Sequence, residues 1–187
     1  MNFILYPFYV VINLIGTVLT FPLAFILALL KEDKEGWLDN GTKWGVGPRL
    51  FKWLSWFQTP DNSLDGDHGW EAKHSHSWWS RVQWLWRNPF YGFAVKYLHG
   101  TDGMSYSGDL HCDESHPGHL LVKGNGLFQY VLFKPMFGKT LYLNLGWNIR
   151  ALVDPQYVND PNNAALFRSR FAIQTASFCT STGCRAG

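Results

Sequence analysis

Residues 1–30, MNFILYPFYVVINLIGTVLTFPLAFILALL, contain no charged side chain, and Lys31 is the first. About 20 predominantly apolar residues suffice for a helix to cross a bilayer. Asn13, Gly16, Thr17 and Thr20 are tolerated in such a helix, and Pro22 inside it predicts a kink. A cleaved signal peptide wants a basic leading region and a small-residue cleavage site. No Lys or Arg precedes this run, and Leu29-Leu30-Lys31-Glu32 is not such a site. The reading is therefore a retained transmembrane anchor, as one tilted helix, with a re-entrant hairpin broken near Pro22 as the alternative. The basic residues Lys31, Lys34, Lys43 and Arg49 all follow the anchor. The positive-inside rule then places the bulk of the chain in the cytoplasm.

The whole chain, 187 residues and 47% hydrophobic, is long enough for one ordinary domain plus an appendage. A net charge of +2 gives no electrostatic case for a nucleic-acid partner. Ten tryptophans are present and nine lie between Trp37 and Trp86, a concentration typical of membrane–water interfaces. Three cysteines, Cys112, Cys179 and Cys184, do not make a secreted disulfide scaffold, although a Cys179–Cys184 bridge is compatible with the spacing.

Within the Trp-rich region, Pro48 suits the first turn of a helix, and Leu50, Trp53, Leu54 and Phe57 follow at helical spacing. That helix must stop before Pro60. A second helix is predicted over Trp78–Arg87, with Ser77 as N-cap and Asn88-Pro89 as the stop. Trp78, Trp79, Val82, Leu85 and Trp86 form its wide apolar face. Trp56 and Trp84 fall off the main stripes. Both apolar faces are read as packing on the body of the protein. With Arg49, Lys52, Arg81 and Arg87 nearby, Trp56 and Trp84 support the alternative that one helix lies in the headgroup layer.

Between these helices, residues 59–70 read TPDNSLDGDHGW. Asp61, Ser63, Asp65 and Gly66 match the start of a calcium loop, D-x-S-x-D-G. The twelfth position is Ala72, so the bidentate carboxylate is missing, and Glu71 comes one place early. An Asx-rich connector whose carboxylates Asp61, Asp65 and Asp67 accept hydrogen bonds from neighbouring groups fits better. Arg81 or Arg87 is expected to add a charge-assisted bond to one of them.

The order TPDNSLDGD, a Trp-rich helix, then RNPFYGF resembles an uncharacterised family of small membrane-anchored proteins carried by tailed bacteriophages. That family's pattern is TPDNPLDGD followed by RNPAYGF, from which Ser63 and Phe90 depart. The resemblance covers residues 57–93 and, more weakly, Leu145-Gly146-Trp147. It implies a phage or prophage origin and a bacterial host, and it implies no activity. On it, Asp61, Asn62, Asp65, Gly66, Asp67, Trp70, Arg87, Asn88, Pro89 and Tyr91 form the binding or structural motif.

The C-terminal half changes period from helical to alternating. Residues 140–150 place Leu141, Leu143, Leu145, Trp147 and Ile149 on one face and Tyr142, Asn144, Asn148 and Arg150 on the other. This predicts a half-buried antiparallel strand. Further strands are expected over residues 93–97, 120–123, 127–133 and 167–175, in a sheet of about four to six. Residues 134–139 read as a turn and 154–163 as a polar loop.

Residues 111–119, HCDESHPGH, offer His111, His116 and His119 as metal ligands. Their spacing matches no established motif, and Pro117-Gly118 makes the stretch a loop. A nucleophile elbow, a phosphate loop and a dinucleotide fingerprint are all absent from the sequence.

The expected architecture is α+β: an N-terminal transmembrane helix, a Trp-rich helical segment and a C-terminal antiparallel β-sheet. Its divisions are an anchor at 1–30, a helical or interfacial region at 31–92, a β domain at 93–176 and a flexible tail at 177–187. The expected function is that of a membrane-anchored phage accessory protein, without evident catalysis and without a cofactor. It would act at the bacterial inner membrane on the lipid bilayer and a host or phage protein. The alternatives are a membrane-tethered metal-dependent hydrolase and a minor virion component.

Overall fold

A computed structural model describes residues 3–37, 43–161 and 170–176. The sequence-predicted tail at 177–187 and the Cys179–Cys184 pair lie outside the described residues. The architecture is α+β, with an N-terminal apolar helix, a Trp-rich helix and an antiparallel sheet. The chain divides into two compact units, residues 7–95 and residues 1–6 with 96–187.

In the first unit, helix α1 runs continuously over Tyr6–Leu27, through Pro22, and not as a hairpin. At 1.5 Å per residue it is about 33 Å long. Its length and composition suffice to cross a membrane. Only one narrow stripe of α1 is buried: Tyr9, Gly16, Thr20, Ala24 and Leu27. The small residues at 16, 20 and 24, continued by buried Ala28, let neighbouring chain approach closely. Ala24, Leu27 and Ala28 join Leu50, Leu54, Leu64, Val82 and Leu85 in one apolar core.

The segment after α1 departs from its predicted helical reading. β1 (Lys31–Trp37) and β2 (Lys43–Leu50) form an antiparallel hairpin, in which Pro48 sits opposite Asp33. A two-stranded ribbon leaves an edge free, where a residue without an N–H does no harm. A 3-10 helix, not an α-helix, then spans Lys52–Phe57. Three residues per turn, not 3.6, bring Leu54 inward and leave Trp53 74% and Trp56 58% exposed.

Two helices follow the loop: α2 (His68–Glu71) and α3 (Trp78–Arg87). The bounds of α3 are those predicted, and Ser77 caps it by accepting from the Ser80 N–H at 3.2 Å. Of its predicted apolar face, Val82 and Leu85 enter the core and Trp86 packs against it, while the other members and Trp84 depart from the prediction. Val82, Trp84 and Leu85 are buried, whereas Trp78 and Trp79 remain 41% and 45% exposed. Trp78, Trp79 and Trp86 surround the Phe25 ring of α1, and of the three Trp86 also packs against the core. A short helix, α4 (Tyr91–Ala94), ends this unit.

The second unit is a sheet. Its strands are β3 (Val95–His99), β4 (Ser105–Gly108), β5 (Gly118–Gly124), β6 (Leu127–Met136), β7 (Lys139–Trp147) and β8 (Arg170–Ala176). The spatial order is β3-β8-β7-β6-β5-β4. The pairings from β4 through β8 are antiparallel. The β5–β6 hairpin turns on Asn125-Gly126, both at positive φ, the pair best suited to a two-residue turn. Residues 134–139, expected as a turn, mostly extend the strands, and only Phe137-Gly138 make the turn. Part of the expected 154–163 loop is instead α5 (Pro155–Val158), capped by Asp154.

The predicted facing of β7 is corrected. Tyr142 is 7% exposed, and Leu141, Leu143 and Leu145 are half-buried, so both faces are covered. Asn144 lies opposite buried Val131. The inward polar face is possible because Gln129, itself buried, satisfies it. Its Nε2 donates to Asn144 Oδ1 at 2.9 Å, and its Oε1 accepts from the Ile149 and Arg150 N–H groups at 2.7 and 2.6 Å. On the other face, Tyr6 and Phe3 pack on Phe128, Tyr6 lies edge-on to Trp147, and the Tyr6 hydroxyl accepts from the Gly146 N–H at 2.8 Å.

Candidate functional site

The loop between the 3-10 helix and α2 is anchored from both ends. Buried Gln58 accepts from the Leu50 N–H at 2.8 Å and donates to the Asn62 carbonyl at 2.7 Å. Leu64 is fully buried, and its N–H donates to the Pro48 carbonyl at 2.7 Å. These bonds hold Asp65 beneath the surface, at 7% exposed.

Asp65 is the centre of the loop. Its Oδ1 accepts from Arg81 Nε at 2.6 Å and its Oδ2 meets Arg81 Nη2 at 3.4 Å. His76 Nδ1 lies 3.1 Å from Oδ2. The expected charge-assisted bond therefore exists, and Arg81 makes it. Burying a carboxylate is tolerable because a guanidinium fork meets both oxygens. The His76 side chain is 65% exposed, so this side of the pair reaches the surface.

Gly66 stands at φ +98, and a Cβ there would lie 2.6–2.8 Å from Trp70. The turn thereby brings Asp67 to the N-cap of α2, where Oδ1 accepts from the Trp70 N–H at 2.8 Å. Trp70 in turn donates from Nε1 to Ser80 Oγ at 3.1 Å and stacks on His74 at 3.6 Å. The Arg87 guanidinium lies 5.5 Å from the ring centres of both Trp70 and Trp84, within cation–π range. A cavity of about 290 Å³ opens beside the loop, with Asn62, Ser63, Asp65, Asp67, Glu71 and His76 among its walls.

The motif RNPFYGF serves α1. Asn88 closes α3 with its own N–H and its Nδ2 on the Trp84 carbonyl, at 3.1 and 3.3 Å. Pro89 ends the helix, and Phe90 follows at φ +55. The Phe90 ring fills the notch at Gly16, where a Cβ would meet it at 2.3 Å. Phe93 stacks on Tyr9 at 4.6 Å, and its carbonyl accepts from the Tyr9 hydroxyl at 2.6 Å. Tyr91 has its hydroxyl pKa raised, first by burial and then by the charge of Asp61. Asp61 Oδ1 and Thr59 Oγ1 are buried without a hydrogen-bond partner among the described residues.

The structure thus brings Asp65, Asp67, Trp70 and Arg87 together around α3. It does not gather calcium ligands: Asp65 is held by Arg81 and His76, Asp67 caps α2, and Ser63 Oγ accepts from the Asp65 N–H at 3.1 Å. The histidines of residues 111–119 are not assembled either. Among the described residues no group of three His, Cys, Asp or Glu side chains is placed to hold a metal ion. Asp113 instead shapes its own turn, accepting from the Ser115 and His116 N–H groups, both at 2.7 Å. The His116 N–H lowers its carboxyl pKa most.

Two participants, His76 and Gln58, had no role in the sequence reading, and a third, Gly16, was read only as tolerated in a membrane helix. His76 stands eleven residues beyond Asp65, with no motif to connect them. Gln58 is a lone amide before TPDN. Gly16 did carry a signal: Gly16, Thr20, Ala24 and Ala28 recur every four residues, the pattern of a helix face made for close packing.

No curated protein matches the chain, and no solved structure does. A family model matches residues 1–175, and the chain belongs to that family, a family of unknown function (DUF7338).

Proposed function

We propose that this protein is a membrane-embedded accessory protein that works by binding at the inner membrane of a bacterial host, not by catalysis. The observation that carries this reading is the surface of α1. One small-residue stripe is covered, and bulky apolar side chains lie open around the remainder, among them Phe8 at 66%, Leu14 at 61%, Val18 at 60% and Ile26 at 57% exposed. Soluble monomers rarely expose a continuous apolar patch of more than about 300–600 Å². Lipid is the solvent in which this surface costs nothing. Exposed Trp53, Trp56, Trp78 and Trp79 suit the layer between lipid and water. The basic residues after α1 favour a cytoplasmic face for the chain that follows it, and the TPDNSLDGD and RNPFYGF resemblance carries the phage origin. Its partner there is a host or phage protein.

The test is membrane extraction combined with a topology reporter. The full chain should stay with the membrane through an alkaline carbonate wash and leave it only in detergent. Alkaline phosphatase fused after Gly187 should be inactive in cells. Release by carbonate would remove the embedded reading, and an active fusion would reverse the orientation.

A further inference from the structure

We propose that the tip of the β6–β7 hairpin is a second membrane contact, inserting Phe137 and Met136 among anionic lipid headgroups. Phe137 is 96% exposed and Met136 43%. Phe137 stands at φ +52, followed by Gly138 at φ +71, so it occupies the first corner of a two-residue turn where Asn, Asp or Gly is favoured. The neighbouring β5–β6 hairpin makes the same kind of turn with Asn125-Gly126, at φ +50 and +74. A bulky side chain in the left-handed region is disfavoured, and here it buries nothing in return. Neither turn geometry nor packing accounts for a phenylalanine at this corner.

The charges around it choose the partner. Met136 pairs with Lys139 across the hairpin, and Lys134 lies two residues before Met136, so both lysines and the methionine share one side. Lys134 and Lys139 are exposed. No Asp or Glu occurs between Glu114 and Asp154, while Lys123, Lys134, Lys139 and Arg150 fall in that span. An acid-free, lysine-flanked tip matches an anionic surface. The apolar part is too small for a stable protein interface, which takes about 800 Å² from each partner. One aromatic ring, one thioether and two long-stemmed cations are suited to the headgroup boundary.

This contact rests on the embedding of α1, because so small a tip does not hold a protein on a bilayer by itself. The reporter is full-length protein carrying Met136→Cys labelled with bimane, with Cys179→Ser and Cys184→Ser, and with Cys112 kept because it is fully buried. It is reconstituted into vesicles of phosphatidylcholine alone or with phosphatidylglycerol, each containing lipid spin-labelled near the headgroup. Quenching of bimane should be at least threefold stronger with phosphatidylglycerol. The Lys134→Glu/Lys139→Glu pair should erase that difference. Phe137→Gly should at least halve the quenching while raising the melting temperature, because glycine relaxes the turn. Protein that floats with the vesicles while its label stays in water overturns this inference alone and leaves the tip to a protein partner. Equal quenching in both lipids, or no loss in Phe137→Gly, also overturns it. Protein that fails to float overturns the embedding and this contact together.

Discussion

The indole N–H of Trp78 donates to the main-chain carbonyl of Phe25 at 3.0 Å, tying α3 to the last turn of α1. The other carbonyls of that turn have backbone partners: Ala24 accepts from Ala28, Ile26 from Leu29 and Leu27 from Leu30. Phe25 would have used the Leu29 N–H, which has gone to Ile26. Trp78 therefore supplies the missing donor from the side. One turn earlier, Trp86 donates to the Phe21 carbonyl at 2.9 Å. Where water is scarce, such a carbonyl must find its donor within the protein.

Trp78→Phe and Trp86→Phe should each lower stability by about 0.5–1.5 kcal/mol, the usual net worth of one hydrogen bond. Trp53→Phe is the control, since that ring is 74% exposed. Chemical denaturation in mild detergent measures all three. Equal losses from the three variants would mean that aromatic bulk, not the indole N–H, is what matters.

Asp65 and Arg81 make a pair whose partners are 7% and 15% exposed. Removing one side of such a pair typically costs about 3–5 kcal/mol. Asp65→Ala should approach that figure. Asp65→Asn should cost nearly as much if its amide N–H₂ turns toward the guanidinium, and roughly half if its oxygen keeps the Arg81 Nε bond. Neither calcium nor its removal with a chelator should move the melting temperature of the wild type. A calcium-dependent rise that vanishes in Asp65→Asn would make the loop a cation site after all.

What could be read beforehand followed how local each cause is. α3 was legible to the residue because Ser77, the apolar spacing and Asn88-Pro89 all act within a few positions. The sheet was legible because β6 and β7 are rich in residues that prefer strands. The β1–β2 hairpin was not, since KEDKEGW has almost none and becomes a strand only by pairing. Asn125-Gly126 was a turn signal within reach. Asp65, His76 and Arg81 meet only after the chain has turned at Gly66 and again before α3. An arginine of α3 was expected to reach one of the loop carboxylates, but no spacing rule singles out Asp65 or brings His76 to it.

Tyr91 gives a pH dependence with a definite sign. Burial, and secondarily Asp61, raises its pKa in the folded protein. The unfolded chain then loses the tyrosine proton before the folded one does. This contribution is complete below the ordinary tyrosine value of about 10 and is lost as pH rises toward the folded value. Tyr91→Phe should flatten the alkaline decline in melting temperature, and Asp61→Asn should flatten it less. Parallel declines in wild type and Tyr91→Phe would show that other groups control the alkaline limb.

The firmest prediction for the sheet concerns Gln129, which is 3% exposed and serves three polar groups at once. Its Oε1 is the acceptor for the Ile149 and Arg150 N–H groups, where the chain leaves β7 for the 3-10 turn at Arg150–Val153. That turn matters because Arg150 reaches on to the Leu110 and Cys112 carbonyls, from Nε at 2.9 Å and from Nη2 at 3.1 Å respectively. Gln129→Met keeps the volume and removes the acceptor, leaving two buried N–H groups unmet at about 1–3 kcal/mol each. Gln129→Glu keeps both acceptor bonds but turns a donor into an acceptor against Asn144 Oδ1. That change should cost less than Gln129→Met, and pairing it with Asn144→Ser should recover part of the loss. Amide hydrogen exchange at Ile149 and Arg150 provides the local readout: strongly accelerated in Gln129→Met, close to wild type in Gln129→Glu. Unchanged exchange in Gln129→Met would show that this amide does not hold the end of β7.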